Sequence, residues 1–153
     1  YSSRQAARAV VFDSEGHVAL LHATNRRYYK LPGGGIDEGE EPLQALEREL
    51  REEIGSKAEV THTIGTILEQ RYYWNMTQLS YCYIAQQIGE KGDPELTESE
   101  REEGFELIWA KDINEAIRLL ESSVKTADKN DLGIAFMRMR DTAIARRAKE
   151  LLA

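Results

Sequence analysis

The stretch LPGGGIDEGEEPLQALERELREEIGS, Leu31 to Ser56, carries seven glutamates and one aspartate directly after three consecutive glycines. From Pro42 to Ile54 its apolar residues recur at helical spacing. Pro42 suits a first helical position, where a missing N–H costs nothing, and Gly55 suits the residue just past a helix end. At about 100° per residue, Leu43, Leu46, Leu50 and Ile54 fall within roughly 80° of one another, a stripe that can pack on a sheet. Glu49, Glu52 and Glu53 fall on a neighbouring arc of about 100°. Side chains three and four apart are neighbours on a helix surface, so these carboxylates can converge.

Helix stability alone does not favour that arrangement. Like charges at this spacing destabilise an isolated helix by roughly 0.2–0.5 kcal/mol per pair, and the helix dipole disfavours anions near the C-terminal end. A hard divalent cation resolves the conflict, because Mg²⁺ takes oxygen ligands and keeps waters that phosphates can replace. The plainer alternative is a solvated charged face.

Outward from the helix, QAARAVVFD (Gln5–Asp13) and HVALLHA (His17–Ala23) flank the turn signal SEG and read as two pairing strands. Thr24–Lys30 reads as a polar loop, with Arg26 and Arg27 ahead of Tyr28 and Tyr29. AEVTHTIGTILEQ and TQLSYCYIAQQ read as longer strands joined near RYYWNM. Gly89–Gly104 reads as a long acidic loop, FELIWA as a strand and INEAIRLLES as a short helix. Asp128–Ala153 reads as a final helix that packs on the core through Leu132, Phe136, Met139, Ala143, Ile144, Ala148 and Leu151.

The 153 residues, 41% hydrophobic and 31% charged, are enough for one folded domain over 1–153. No apolar run approaches the ~20 residues that span a bilayer, and no signal peptide is evident. Cys82 is the only cysteine, which suits a reducing cytoplasm, and between Tyr81 and Tyr83 it reads as a core residue. His17, His22 and His62 lack the spacing of a zinc site. The net charge of −7 argues against a duplex nucleic-acid partner, yet allows phosphate substrates if cations stand between them and carboxylates. Both monomer and homodimer are compatible with this composition.

The stretch resembles the signature of the Nudix hydrolases, the MutT-like family: G, five residues, E, seven residues, then R-E-U-x-E-E-x-G-U, with U a bulky aliphatic. It falls on Gly34, Glu40, Arg48, Glu49, Leu50, Glu52, Glu53 and Gly55, with Ser56 departing at the last position. Seven fixed matches arise by chance on the order of once in ten million starting positions. The resemblance implies an α+β Nudix fold, a mixed, curved sheet between helices. It also implies hydrolysis of a phosphoanhydride in a nucleotide by water, with Mg²⁺, or alternatively Mn²⁺, as cofactor.

On that resemblance Glu49, Glu52 and Glu53 form the metal cluster, with Glu49, then Glu52, as base. Arg48 orients the cluster, or is an ordinary ion pair. Glu40 braces the loop, and Gly33 and Gly34 shape the site, with a backbone carbonyl contact to metal at Gly34. A distant loop commonly adds an acidic ligand, and Glu103 stands where relatives supply it, among Glu98, Glu100 and Glu102. Arg26, Arg27 and Lys30 are candidates for substrate phosphate, and Tyr72, Tyr73 and Trp74 for stacking on a base. Each has a plainer reading, as solvated loop charge or as hairpin aromatics. The expected substrate is a nucleoside triphosphate or dinucleoside polyphosphate. The runner-up is a nucleotide sugar or ADP-ribose, although the proline that marks ADP-ribose enzymes is absent near Gln70–Tyr72. A non-catalytic nucleotide sensor normally loses a signature glutamate, and all are kept here.

Overall fold

The computed structural model describes residues 2–123 and 132–153. Strand β1 (Ser2–Phe12) is the hub of the sheet. It pairs in parallel with β6 (Met76–Ile88) along its whole length, Ser2↔Met76 to Phe12↔Gln86. On its other side it pairs antiparallel with β4 (Gly33–Gly35) and, at Phe12↔Val18, with β2 (Val18–Ala23). Strand β2 carries β3 (Tyr28–Lys30) and β7 (Phe105–Ala110). Strand β5 (Lys57–Arg71) closes the far edge against β6. One parallel pairing among antiparallel ones makes the sheet mixed, and β5 is offset at Val60/His62 and Thr63/Gly65, irregularities that bend a strand.

Period-two alternation along β1 feeds two layers. Ala7, Ala9 and Val11 face helix α1 (Pro42–Ile54), whose Ala45, Leu46, Leu50 and Ile54 are buried against them. Val10, with Val18, Leu20, Leu31, Cys82 and Ile84, faces the opposite layer. That layer is α3 (Ile113–Ser122) through Ala116, Ile117 and Leu120, and α4 (Leu132–Leu152) through Ile144, Ala145 and Ala148. Each fully buried Leu or Ile contributes about 1.5–3 kcal/mol. Cys82 lies in this core, where burial pushes its thiol up to about 11.

Helix α1 spans the residues expected of it. Glu41 and Gln44 form a reciprocal capping box at its start, and Gly55 ends it with a left-handed φ of 68°. Leu43 is the exception in the apolar stripe and is exposed.

Four local expectations are corrected. The end of the Thr24–Lys30 loop is strand β3, held by pairing to β2 that its polar composition did not announce. The three glycines form strand β4, because without a side chain their backbone can lie close along β1. The acidic loop contains helix α2 (Glu98–Glu102), started by a Thr97–Glu100 capping box. In α4 the buried face is Ile134, Arg140, Asp141, Ile144, Ala145 and Ala148, whereas Met139, Ala143 and Leu151 are exposed. Ile144 and Ala148 pack as expected, and apolar periodicity missed Arg140 and Asp141 because they are an ion pair. The expected start of this helix at Asp128 lies outside the described residues.

Candidate active site

Helix α1 lays its carboxylates beside β4. Gly33 is held at a φ of +140°, and a Cβ there would stand 2.3 Å from the Ala7 carbonyl oxygen, so only glycine fits. Gly34 is needed for a different contact: its Cβ would lie 2.6 Å from Glu49 Oε1. The glycine strand is therefore pressed against the glutamate that starts the cluster.

Arg48 organises the outer part of the site. Its Nε and Nη2 donate to the two oxygens of Glu40 at 2.9 Å each, and Nη2 also donates to the Gly35 carbonyl at 2.9 Å. Nη1 donates to Glu49 Oε1 at 3.0 Å and stands 3.9 Å from Glu52 Oε1. One guanidinium thus ties the glycine strand to Glu40, Glu49 and Glu52. Glu40 Oε1 also accepts the Asp37 N–H at 2.8 Å, and Arg48 above all holds the Glu40 carboxyl down to about 2.

Glu53 turns inward and is fully buried. Its Oε1 accepts the Gly33 N–H at 2.7 Å, while Oε2 accepts no hydrogen bond. Lys30 Nζ lies 3.5 Å from Oε2 and 4.9 Å from the Phe105 ring centroid. Burial pushes the Glu53 carboxyl up to about 8, against the pull of Lys30. Glu100 of α2 faces Glu53 side chain to side chain, and the contact raises the Glu53 carboxyl and lowers that of Glu100. Burial also raises Glu49, with Arg48 opposing it.

The remaining candidates lie as follows. Glu103 accepts from Tyr28 Oη at 3.0 Å and stands 3.9 Å from Arg26 Nη1, whereas Glu100 of the same loop faces Glu53. Lys30 faces Glu53 rather than open solvent, and Arg27 is exposed in the turn that follows Ala23. Tyr72, Tyr73 and Trp74 form an exposed 3₁₀ turn (Tyr72–Trp74) between β5 and β6. Trp74 meets Phe136 of α4 edge to face at 6.1 Å, with the Arg71 guanidinium 5.9 Å from its ring. Ser56, the departure from the signature, is buried with its hydroxyl unpartnered.

Fit to a divalent cation rests on the donors. Glu49 and Glu53 supply hard oxygens, one of them buried without a partner, and the glycine strand lies against Glu49. Among the described residues no three His, Cys, Asp or Glu side chains are arranged to hold an ion, since Arg48 lies against both Glu49 and Glu52.

Sequence reasoning missed a second polar cluster beneath the glycine strand, formed by Arg8, Glu69, Gln78, Ser80, Arg140 and Asp141, all buried. A signal was present, because Asp141 is three residues before Ile144 and seven before Ala148, on the core stripe of α4.

A mixed sheet with α1 on one face and α3 and α4 on the other, the glutamate helix following a glycine strand, is the architecture of a Nudix domain. The family model for the NUDIX domain matches residues 2–126, and the chain belongs to that family. Among curated proteins it resembles the RNA pyrophosphohydrolase of Bartonella henselae, 37% identical over 81 residues, covering 47% of this chain and 44% of that protein. It also resembles the RNA pyrophosphohydrolase of Mesorhizobium japonicum, 56% identical over 58 residues, covering 32% and 34%. The matches thus span less than half the length of these relatives. Among solved structures it is similar to the E. coli ORF135 protein, with a TM-score of 0.67 at 18% identity, covering 99% of this chain and 92% of that one. A NUDIX hydrolase from Nitrosomonas europaea gives a TM-score of 0.63 at 18% identity, covering 87% and 88%. Among the described residues no helix is long and apolar enough to cross a membrane.

Proposed function

We propose that this chain is a divalent-metal-dependent pyrophosphohydrolase that uses water to cleave a phosphoanhydride in a nucleoside polyphosphate. The observation that carries the reading is Glu53: a fully buried carboxylate with one oxygen on the Gly33 amide and the other without a donor, beside Glu49 and the glycine strand. Lys30, 3.5 Å away, makes no hydrogen bond to that oxygen, which keeps its lone pairs for a hard cation. Glu49, Glu52, Glu53 and the Gly34 carbonyl would hold Mg²⁺ or Mn²⁺. When bound, such an ion neutralises phosphate charge and acidifies the attacking water.

The chain's own residues supply the rest. Glu49 takes the proton of the attacking water, a role suited by the upward shift that burial gives its carboxyl. Arg48 positions Glu49 and Glu52 against the glycine strand. Lys30 balances the charge on Glu53. Phosphoryl transfer needs this placement of charge more than covalent help. The reading of 1–153 as one domain is supported by α4, whose Ile144, Ala145 and Ala148 share a core with Val10.

The substrate class is a nucleoside triphosphate or dinucleoside polyphosphate. The relatives named RNA pyrophosphohydrolases bring a terminally polyphosphorylated RNA into that class, because anhydrides occur in RNA only in such an end. The test is phosphate release, coupled to pyrophosphatase or phosphatase, from nucleoside triphosphates, dinucleoside polyphosphates and 5′-triphosphorylated RNA with Mg²⁺ or Mn²⁺. Turnover that disappears in Glu52→Gln is expected. Nucleotide binding without turnover on any of them would replace the enzyme by a sensor.

A further inference from the structure

The glycine strand is held from both sides of the sheet. From the α1 side Glu53 accepts the Gly33 N–H. From the α4 side Asp141 Oδ2 accepts the Leu31 N–H at 3.0 Å, two residues earlier in the chain. The other Asp141 oxygen accepts Arg140 Nε at 2.8 Å, and Arg140 Nη1 reaches Glu69 Oε1 of β5 at 3.2 Å. Arg71 Nη2 donates to the second Glu69 oxygen at 2.8 Å. With its amide oxygen turned to them, Gln78 of β6 accepts from Arg8 at 3.0 Å and from Arg140 at 3.3 Å. A chain of buried charge therefore runs from the β5–β6 hairpin through α4 to the backbone of Leu31.

We propose that Asp141 is a positioning residue: from the far face of the sheet it sets the Leu31–Gly33 segment, and through it the amide that holds Glu53. The inference rests on the reading of Glu53 as part of the active site. Two features make the linkage stiff. Pro32 lies between the held amides with its φ locked by the ring, and its carbonyl accepts the Ala9 N–H at 3.1 Å. Gly33 in turn lies so close to Ala7 and Arg8 that any side chain there would clash with their backbone. A shift at Leu31 has no slack to absorb it before Gly33.

The chemistry of the cluster also points beyond stability. A buried ion pair is often matched or bettered in stability by apolar residues of similar volume, whereas it specifies one geometry. Here the carboxylate spends one oxygen on a backbone amide 110 residues away in sequence. Burial alone would raise the Asp141 carboxyl, but Arg140 and Arg8 hold it below the ordinary range, and its two oxygens accept at fixed positions. Arg140 retains one nitrogen, Nη2, buried without a partner, so the cluster is not arranged to satisfy every group it contains.

The test compares Asp141→Glu and Asp141→Ala with wild type, by backbone amide hydrogen exchange and by turnover of GTP and a 5′-triphosphorylated RNA oligonucleotide with Mg²⁺. Asp141→Glu keeps the charge and both acceptors but places them one methylene farther out. Exchange at Leu31 and Gly33 should rise at least tenfold more than at Val10 and Ile84 in both variants, and kcat should fall at least tenfold with KM within about threefold. If overpacking unfolds Asp141→Glu, Glu69→Gln loosens Arg140 from a distance and should give the same pattern in weaker form. A purely structural role would raise exchange evenly, in step with global stability, and leave kcat of the folded fraction intact. That result would overturn the proposal. Failure of the underlying functional reading looks different: wild type itself would turn over neither substrate, while amide exchange still reports whether Asp141 holds the strand.

Discussion

Replacing Glu53 with glutamine should make the metal-free protein more stable and the metal-loaded protein much slower. Glutamine keeps the volume, and its Oε1 can still accept the Gly33 N–H that Glu53 accepts at 2.7 Å. It removes a carboxyl that burial pushes from an ordinary value of 4.5 up to about 8. A group raised in this way contributes full stability below about 4.5 and loses it as pH rises through about 8, because the folded state must hold a proton the unfolded chain has released. At 1.36 kcal/mol per pH unit, the interval from 4.5 to 7 is worth about 3 kcal/mol at most. The expectation is a gain of up to about 3 kcal/mol at pH 7, near zero at pH 4.5 and largest near pH 8. Urea unfolding in EDTA at pH 5, 7 and 8 measures this directly. In the same variant hydrolysis with Mg²⁺ should fall on the order of 10²–10⁴-fold, because the carboxylate that completes the cation site is gone. A variant that loses stability at pH 8 yet keeps its activity would mean that Glu53 serves the fold.

Gly34→Ala should cost less than about 1 kcal/mol of stability, because its Cβ meets the movable end of Glu49 at 2.6 Å rather than backbone; activity should fall at least tenfold, and wild-type rates would show that Glu49 tolerates displacement. Glu100→Gln should slow turnover far more than Glu103→Gln, since Glu100 meets Glu53 whereas Glu103 is engaged by Tyr28; the reverse order in a coupled phosphate assay would move the role along the loop. Mg²⁺ or Mn²⁺ at a hundred times its dissociation constant should stabilise wild type by about 2.7 kcal/mol, a rise of a few degrees in melting temperature that Glu53→Gln should lose. At the far turn, burial alone would raise Asp13, but Lys91, the His17 ring and two amides outweigh it and hold its carboxyl well below the ordinary 3.8. A depressed carboxyl stabilises above its unfolded value and loses that contribution as pH falls. Asp13→Asn should therefore cost about 1–2 kcal/mol at pH 7, with the gap closing in acid-unfolding curves below about pH 4.

Local chemistry wrote helix α1 into the sequence. Pro42, Gly55, the apolar stripe and the spacing of Glu49, Glu52 and Glu53 are short-range patterns, and they set the helix, its buried face and the side that carries charge. The strands of the β1–β2 and β5–β6 hairpins were legible for the same reason: each is a local run of strand-forming residues that ends at or near a turn. Pairing across the chain was not legible. Gly33–Gly35 became a strand only because β1 lies beside it, and Tyr28–Lys30 only because β2 does. Which loop glutamate reaches the cluster depended on the Thr97 cap of α2, which aims Glu100 rather than Glu103 at Glu53. The expected face of α4 kept Ile144 and Ala148 but lacked the buried Arg140–Asp141 pair, since a charge can be buried only where a partner waits, and here the partners, Glu69 and Leu31, are far away in sequence. Periodicity tells which residues share a face; whether a charged residue on that face is tolerated is decided by groups that only tertiary contact brings to it.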